Sequence, residues 1–558
     1  MASRRPASYS VDLGLIFLIG AVVVGLHLGR SSLRPYDAPE LDPRPALLPL
    51  YLLYSLARLA VAYLLAVGLA LVTGQLAARS PFARRLILPT LDVLQSVPIL
   101  GFFPLAVGFF IGIFHGSALG VEMAAVFLIF TSMFWNLAFG VYESLITLPE
   151  ELALAAGQFG LRGSLRWTRL ILPAVVPSLL YNSLVSWANG WYFLIASEII
   201  AVGPARYTLP GLGSYLAQAV TVGRNHATVL ALGVLIATTV GMHLLLWGPL
   251  QIWAERFHFE ESGDRPRTPR MARVLGRSRL VRWLTRTVVA PAGQEAIAAA
   301  GKLLGMWGAS GWWGGAFALL LPASLLVAVF KLYGLFVSRP ASPELAGIPV
   351  DLLLSLVRVA LGVVVSAAVS IPLAWALARS TRVRGAAMAV IQILASIPAT
   401  AFFPLIVILL RWGIGMNAAA VLLALTTMFW YVLFNVAGAA YAIPKQMDEA
   451  ALGLGLRGRR YLRRVFVPAV LPSLITGCVT AWGAGWNAMI LCEYLEAGRR
   501  VYQVRGIGAT LDRATYVTGD MQVVAASLAS MVLLIILVNR SVWDPVYRRV
   551  AERYKMEA

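Results

Sequence analysis

Two glutamates and two arginines stand in stretches otherwise almost free of charge. Glu198 falls within the apolar run 174–201 and Glu493 within 470–497, while Arg58 and Arg358 sit inside 48–76 and 348–377. An ionisable group in such surroundings is expensive unless it is paired or faces a water-filled cavity. Two roles follow. Glu198 with Arg58, and Glu493 with Arg358, can form fixed ion pairs. Alternatively, the glutamates line the outer mouth of a solute path, and the arginines attract an anion there. Covalent chemistry has no candidate. The five histidines are dispersed, and Cys478 and Cys492 share one apolar stretch, which gives neither a disulfide framework nor metal-ligand spacing. No Gly-x-x-x-x-Gly-Lys-Ser/Thr phosphate loop occurs, since Gly301-Lys302 lacks the earlier glycine and the hydroxyl. The chain is therefore expected to hold no metal or cofactor and to catalyse no covalent reaction.

A second set of residues could shape a path or gate. Ser96, Pro98, Phe102 and Phe103 recur as Ser396, Pro398, Phe402 and Phe403. Proline removes a backbone donor and breaks the helical ladder, which shapes a cavity, a hinge or only a kink. The phenylalanines suit an apolar constriction or ordinary packing. Trp187 and Trp191, repeated as Trp482 and Trp486, share one helix face at i, i+4. Gly190 and Gly485 between them admit a close neighbouring helix.

A third segment looks like a lever. One copy reads Asp448-Glu449-Ala450-Ala451-Leu-Gly-Leu-Gly455-Leu456, and nine residues after Gly455 comes Val-Phe-Val-Pro468. The other reads Leu154-Ala155-Ala156-Gly-Gln-Phe-Gly160-Leu161, followed at the same spacing by Leu-Ile-Leu-Pro173. Alanine pairs form helix well and leave room for another protein to approach. Gly160 and Gly455 can take positive φ and turn the chain. Arginines follow each turn. This predicts a short helix, a turn and a second helix, with Pro173 and Pro468 marking the entry into the bilayer.

These residues must be positioned by membrane-spanning helices. Of 558 residues, 59% are hydrophobic and 13% charged, which excludes a soluble enzyme or a disordered chain. Long apolar runs point to helices, not to a transmembrane β-barrel. Spans are expected at 13–29, 48–76, 87–113, 122–142, 174–201, 227–251, 314–337, 348–377, 386–410, 415–437, 470–497 and 521–540. Lys and Arg concentrate in the segments lying on the side of the N-terminus. That makes N- and C-termini cytoplasmic by the positive-inside rule and places the levers on the cytoplasmic side. The net charge of +20 is thus read as topology and as affinity for acidic lipid or an acidic partner, with no nucleic-acid motif beside it.

The chain is also a tandem duplication. Ser55-Leu-Ala-Arg58 recurs as Ser355-Leu-Val-Arg358 at an offset of 300, and Met133-Phe-Trp135 recurs as Met428-Phe-Trp430 at 295. The second offset continues through Glu198 and Glu493 and through Gly211-Leu-Gly213 and Gly506-Ile-Gly508. The expected organisation is an all-α polytopic protein with two parallel six-helix repeats, 1–252 and 313–558, forming a pseudo-dimer. They are joined by a basic linker, 253–312, in which 271–288 reads as a helix lying on the inner leaflet or as a solvated tether.

The lever spacing, Glu-Ala-Ala, three residues, Gly, nine residues, then hydrophobic-x-hydrophobic-Pro, resembles the EAA loop of permeases in binding-protein-dependent ABC importers. The segments run over about 149–173 and 444–468. Ser-x-Pro…Phe-Phe-Pro, Trp-x-x-Gly-Trp…Glu and the later Gly-x-Gly are similar to the nitrate/sulfonate/taurine branch. The resemblance implies a fused pair of permease units in a bacterial-type inner membrane. It implies two cytoplasmic ATPase subunits that carry ATP and Mg, an extracytoplasmic solute-binding protein, and a small solute, an anion such as nitrate, a sulfonate or a taurine-like compound. It further implies ATPase contact around Ala155, Ala156, Gly160 and Leu161 and around Glu449, Ala450, Ala451, Gly455 and Leu456. Leu154 stands where the motif has Glu, so the two docking sites are expected to differ. The alternative is a secondary transporter, which can also have two parallel six-helix halves; it leaves the duplicated lever unexplained and has no visible ion-site constellation.

Overall fold

The computed structural model describes residues 44–257 and 340–554, apart from 97, 115–116, 203–204, 380–390, 392–393, 396–398, 444 and 498–499, together with four residues within 294–298. The expected spans 13–29 and 314–337 and almost all of the 253–312 linker, including 271–288, lie outside the described residues. The span expected at 386–410 is described mainly over its second half.

The first repeat contains α1 (Leu48–Arg79), α2 (Pro81–Ser96), α3 (Ile99–Ile113), α4 (Ala118–Ile146), the lever helix α5 (Glu150–Gln158) and α6 (Gly163–Arg166). A π-helical turn, Trp167–Ile171, joins α6 to α7 (Leu172–Glu198). Then follow strands β1 (Ile199–Val202) and β2 (Ala205–Thr208), and helices α8 (Leu212–Val222), α9 (Asn225–Met242) and α10 (Gly248–Ala254). The second repeat follows the same order. It has α11 (Ile348–Arg379), α12 (Phe403–Arg411), α13 (Met416–Ala442), the lever helix α14 (Lys445–Gly453), α15 (Gly458–Tyr461) and a π-turn at Leu462–Phe466. It ends in α16 (Val467–Cys492), β3 (Tyr494–Ala497), β4 (Arg500–Gln503), α17 (Ile507–Arg513), α18 (Met521–Val538) and α19 (Asp544–Tyr554). Eight helical segments among the described residues are long and apolar enough to cross a membrane, so the chain is a multi-pass membrane protein.

Three expected spans take a different form. The run 87–113 is two helices, broken at Pro98, which has no N–H to continue the helical ladder and stands in extended backbone as the N-cap of the second. The helices expected to begin at 174 and 470 begin instead at Gly163 and Gly458 and pass unbroken through Pro173 and Pro468. In the π-turns, Leu172 N–H bonds back to the Trp167 carbonyl and Val467 N–H to Leu462, so the ladder is already widened where proline has no N–H to give. Finally, 199–201 and 494–497 are strands, not helix. Each opens an antiparallel hairpin, Ile199 opposite Thr208 and Tyr494 opposite Gln503.

Packing repeats as well. α1 lies along α4 and α4 along α7; α11 lies along α13 and α13 along α16. Gly190 and Gly485 meet Met133 and Met428 closely, so the residues opened by small size are filled by the same partner in both halves. The two cores are not confined to their own halves. Ile99, Leu100, Phe103, Val107 and Tyr192 of the first repeat pack into the hydrophobic cluster built mainly by the second.

Candidate functional site

The charged residues singled out in the sequence come together in two buried clusters, one per repeat. In the first, Arg58 Nη1 donates to Glu198 Oε1 at 3.0 Å, and Arg58 Nε and Nη2 grip Glu122 at 2.6 Å each. Ser55 Oγ donates to Glu198 Oε1 at 2.5 Å and accepts the Leu212 N–H at 2.9 Å, while Gly213 N–H reaches Glu198 Oε2 at 2.6 Å. In the second, Arg358 Nη1 and Ser355 Oγ both donate to Glu493 Oε1 at 2.6 Å, and Gly508 N–H donates to Oε2 at 2.8 Å. Ile507 N–H donates to Ser355 Oγ at 2.9 Å. Glu198 and Glu493 are both 0% exposed. Each carboxylate therefore ties three elements together: α1, α7 and α8 in one half, α11, α16 and α17 in the other. The arginines also clamp the backbone, at the Pro210 and Arg505 carbonyls, each 2.8 Å away.

Gly211 and Gly506 are required here for room, because both have extended backbone and a Cβ on either would run into the glutamate carboxylate. The ion pairs expected between Arg58 and Glu198 and between Arg358 and Glu493 are present. Sequence reasoning missed their asymmetric partners. Glu122 occupies the position where the second half has Asn417, which takes Arg358 Nε and Nη2 at 3.2 and 2.7 Å. Asp351, also missed, accepts from Arg505 and Thr510 at 2.7 Å each, whereas the matching Tyr51 packs on the Tyr215 ring. A search for residues that repeat could not find groups that differ between repeats. The first cluster thus sets one arginine, Arg58, against two carboxylates, Glu198 and Glu122, while the second sets two arginines, Arg358 and Arg505, against two, Glu493 and Asp351.

The levers have the same geometry in both copies. Gly160 and Gly455 take φ of 69° and 71°, which non-glycine residues adopt at a cost. Gly160 N–H bonds to Gly157 and Leu161 N–H to Ala156; Gly455 N–H bonds to Leu452 and Leu456 N–H to Ala451. This pairing satisfies the last carbonyls of each lever helix and fixes the direction in which the chain leaves it. Ala156 and Ala451 are buried. Ala155 is half-buried and Ala450 and Glu449 are exposed. A large apolar residue stands just before each turn glycine in open solvent: Phe159 is 83% exposed and Leu454 78%. Leu154, where the sequence departs from Glu, is 67% exposed.

The remaining predicted residues scatter. Trp187 packs edge-on against Tyr63 and Trp247, and Trp482 against Trp486 and Trp543, each pair within its own half; Trp191 and Trp486 are fully buried. Pro98 starts α3, Ser96 ends α2, Phe102 meets Phe127, and Phe103 is buried in the shared core. Phe402 and Phe403 are half-buried against that core. Ser396 and Pro398 lie outside the described residues.

Among the described residues, two side-chain hydrogen bonds that sequence reasoning did not anticipate cross from one repeat to the other. Tyr431 on α13 donates its hydroxyl to Asn189 Oδ1 on α7. Asn487 Oδ1 on α16 accepts the Ile99 N–H at 2.6 Å and so caps the broken helix α3, whose own N-cap proline has no side chain to offer.

The profile of the binding-protein-dependent transport system inner membrane component family matches twice, at residues 59–248 and 368–551. Curated relatives match over shorter stretches. A putative ABC transporter permease of Methanocaldococcus jannaschii is 29% identical over 189 residues, 34% of this chain and 67% of that protein. A nitrate import permease of Synechococcus elongatus is 28% identical over 151 residues, 27% and 53% of the two chains. A taurine transport system permease of Escherichia coli is 28% identical over 158 residues, 28% and 56%. The matches span about half to two thirds of those relatives' own length. With the family profile covering more than half of the chain, in two successive copies, this protein belongs to the binding-protein-dependent transport system inner membrane components, as two permease units fused in one chain.

Proposed function

We propose that the chain is the complete membrane-spanning part of an ATP-driven importer, with both halves of the solute path supplied by one polypeptide. α5 and α14 would each seat on one of two cytoplasmic ATPase subunits, which bind ATP and Mg. An extracytoplasmic solute-binding protein would deliver solute at the end of the bundle that carries the two β-hairpins. The N- and C-termini are then cytoplasmic. ATP-driven closure of the ATPase pair would push both levers and switch the seam between the halves from outward to inward access. The printed names of the relatives, nitrate and taurine permeases, support a small anion as solute.

The observation that carries this reading is the pair of lever helices, closed by the same turn in both halves and each tipped by an exposed apolar side chain, Phe159 or Leu454. Such a tip has no role in a free-standing transporter driven by an ion gradient. The test is purification of the tagged chain from its native membrane, with mass spectrometry and ATP turnover. Two ATPase subunits per chain and vanadate-sensitive hydrolysis are expected, with Phe159→Asp and Leu454→Asp each releasing ATPase subunits. A lone, ATP-inert chain that moves solute with an ion gradient would overturn the reading.

A further inference from the structure

Between the two halves, α7 meets α13 at two points, with the Tyr181 and Phe434 rings 6.5 Å apart and Asn189 bonded to Tyr431. Asn189 and Tyr192 are i, i+3 neighbours on α7, and Thr427 and Tyr431 are i, i+4 neighbours on α13, so each pair shares a helix face. Two of these groups are orphans. Tyr192 is 7% exposed and its hydroxyl has no hydrogen-bond partner; Thr427 Oγ1 is buried and also has none. A buried, unpaired hydroxyl is costly. Tyr192 is buried in the hydrophobic cluster built mainly by the second half, which places its ring on the same seam. Asn189 lies nine residues before Glu198, roughly 13 Å below the outer ion cluster at helical rise. α13 carries no charged residue, and α7 carries none but Glu198.

We infer that Asn189, Tyr192, Thr427 and Tyr431 are the groups that hold the transported solute as it crosses between the halves, and that this solute is a small oxyanion. The inference rests on the permease reading above and names its contact residues and ligand class. The chemistry is that of neutral donors. Two phenolic hydroxyls, a threonine hydroxyl and a carboxamide donate to oxyanion oxygens without fixing a full positive charge in the path. A permeating solute needs sites that are favourable enough to enter and weak enough to leave. An arginine would hold an anion too firmly, and the arginines at the outer end, Arg58 and Arg358, are already neutralised by Glu198, Glu122 and Glu493. Asp512 lies within electrostatic reach of Tyr192 and opposes an anion there, so recognition falls on the hydroxyl and amide donors. When the halves separate, the Asn189–Tyr431 bond is free to be exchanged for bonds to the solute. When they close it reforms, which gives one set of groups the roles of contact site and seal. The site is one-sided: the positions matching Asn189 and Tyr431 at the 295 offset are Ala484 and Asn136.

The orphan hydroxyls make the test clean. Tyr192→Phe and Thr427→Val remove atoms that hold nothing in the resting protein, so a purely structural role predicts unchanged or higher thermal stability and unchanged transport. The experiment uses the intact permease–ATPase–binding-protein complex in liposomes and measures uptake of nitrate and of a short alkanesulfonate. Expected are about a tenfold rise in KM for either variant, the cost of one hydrogen bond to a charged group, at an unchanged melting temperature. Tyr431→Phe should add a rise in ATP hydrolysis not matched by uptake, because it also breaks the seal. Normal uptake kinetics in both Tyr192→Phe and Thr427→Val would overturn the assignment, with the permease reading intact. Wild-type uptake of only neutral or cationic solutes would overturn the oxyanion class. A wild-type complex that takes up no solute at all would bring down the permease reading and this one together.

Discussion

At the scale of single residues, duplication supplies an internal control. Arg58 and Arg358 do the same work in sister sites, but Arg58 faces Glu122 where Arg358 faces Asn417. The second half shows that an amide suffices at this position. Glu122 is also about a third exposed, and ion pairs of that kind contribute little. Glu122→Asn should therefore cost no more than about 1 kcal/mol. Arg58→Met is a different matter, since it leaves the Glu198 carboxylate buried without its cation, with an expected loss of about 3–5 kcal/mol. Thermal unfolding of the two variants in detergent checks the contrast, and equal losses would show that Glu122, not Glu198, is the partner that matters. The same comparison shows what the sequence could reveal. Arg58 and Glu198 both repeat and so were legible as an ion pair; Ser55 and the Gly-x-Gly repeat as well, but only the structure brings them to the same carboxylate; Glu122, Asp351 and Asn417 do not repeat, and only three-dimensional proximity identifies them.

At the scale of elements, the levers were legible in the sequence because their signals are local: an alanine pair, a turn glycine and a closing hydrophobic-x-hydrophobic-Pro. The structure adds how the turn is held. Gly455 has φ of 71°, its N–H and that of Leu456 close the helix, and no atom lies within 4 Å of where a Cβ would stand. Substitution there is limited by backbone conformation and not by space. Asparagine tolerates this region, whereas a β-branched residue is strained by more than the roughly 1–2 kcal/mol of an ordinary residue. Gly455→Asn should keep ATPase association within about threefold of wild type, and Gly455→Val should weaken it about tenfold, as 1.4 kcal/mol corresponds to one decade. The ratio of ATPase to permease after purification, read against total permease in the membrane, measures both. Equal retention would mean that the turn direction does not position the lever. What was not legible is where helices start and stop around proline. Pro98 breaks its span, whereas Pro173 and Pro468 do not, because a π-turn precedes them. That difference depends on the register of the backbone ladder and has no marker in residue type.

At the scale of the whole molecule, the pseudo-dimer was legible from the two offsets, but its seam was not. The apolar character of Ile99, Leu100, Phe103 and Val107 says only that they are buried; it does not say that they are buried in the other half's core. Through α3 the first repeat is clasped by the second, with Asn487 capping the clasp at its broken end and Gly101 seated against Ile490, Leu511 and Leu528. A shared core makes the halves cooperative, since unfolding either one exposes apolar surface of the other. The intact chain should therefore melt in a single calorimetric transition in detergent. Asn487→Ala, which uncaps α3, should cost about 1 kcal/mol and lower that transition without splitting it. Expressed alone, residues 1–257 should be recovered mainly as aggregate, because α3 has lost the surface it packs on. Co-expression with residues 294–558 should restore a detergent-stable complex that co-purifies. Two well-separated transitions in the intact chain, or a well-behaved first half on its own, would show that the seam is a contact between independent domains. The levers could then move their halves separately. With first-half residues seated in the second half's core, a push on α5 or α14 by a partner is expected to be felt on both sides of the seam where Asn189 meets Tyr431.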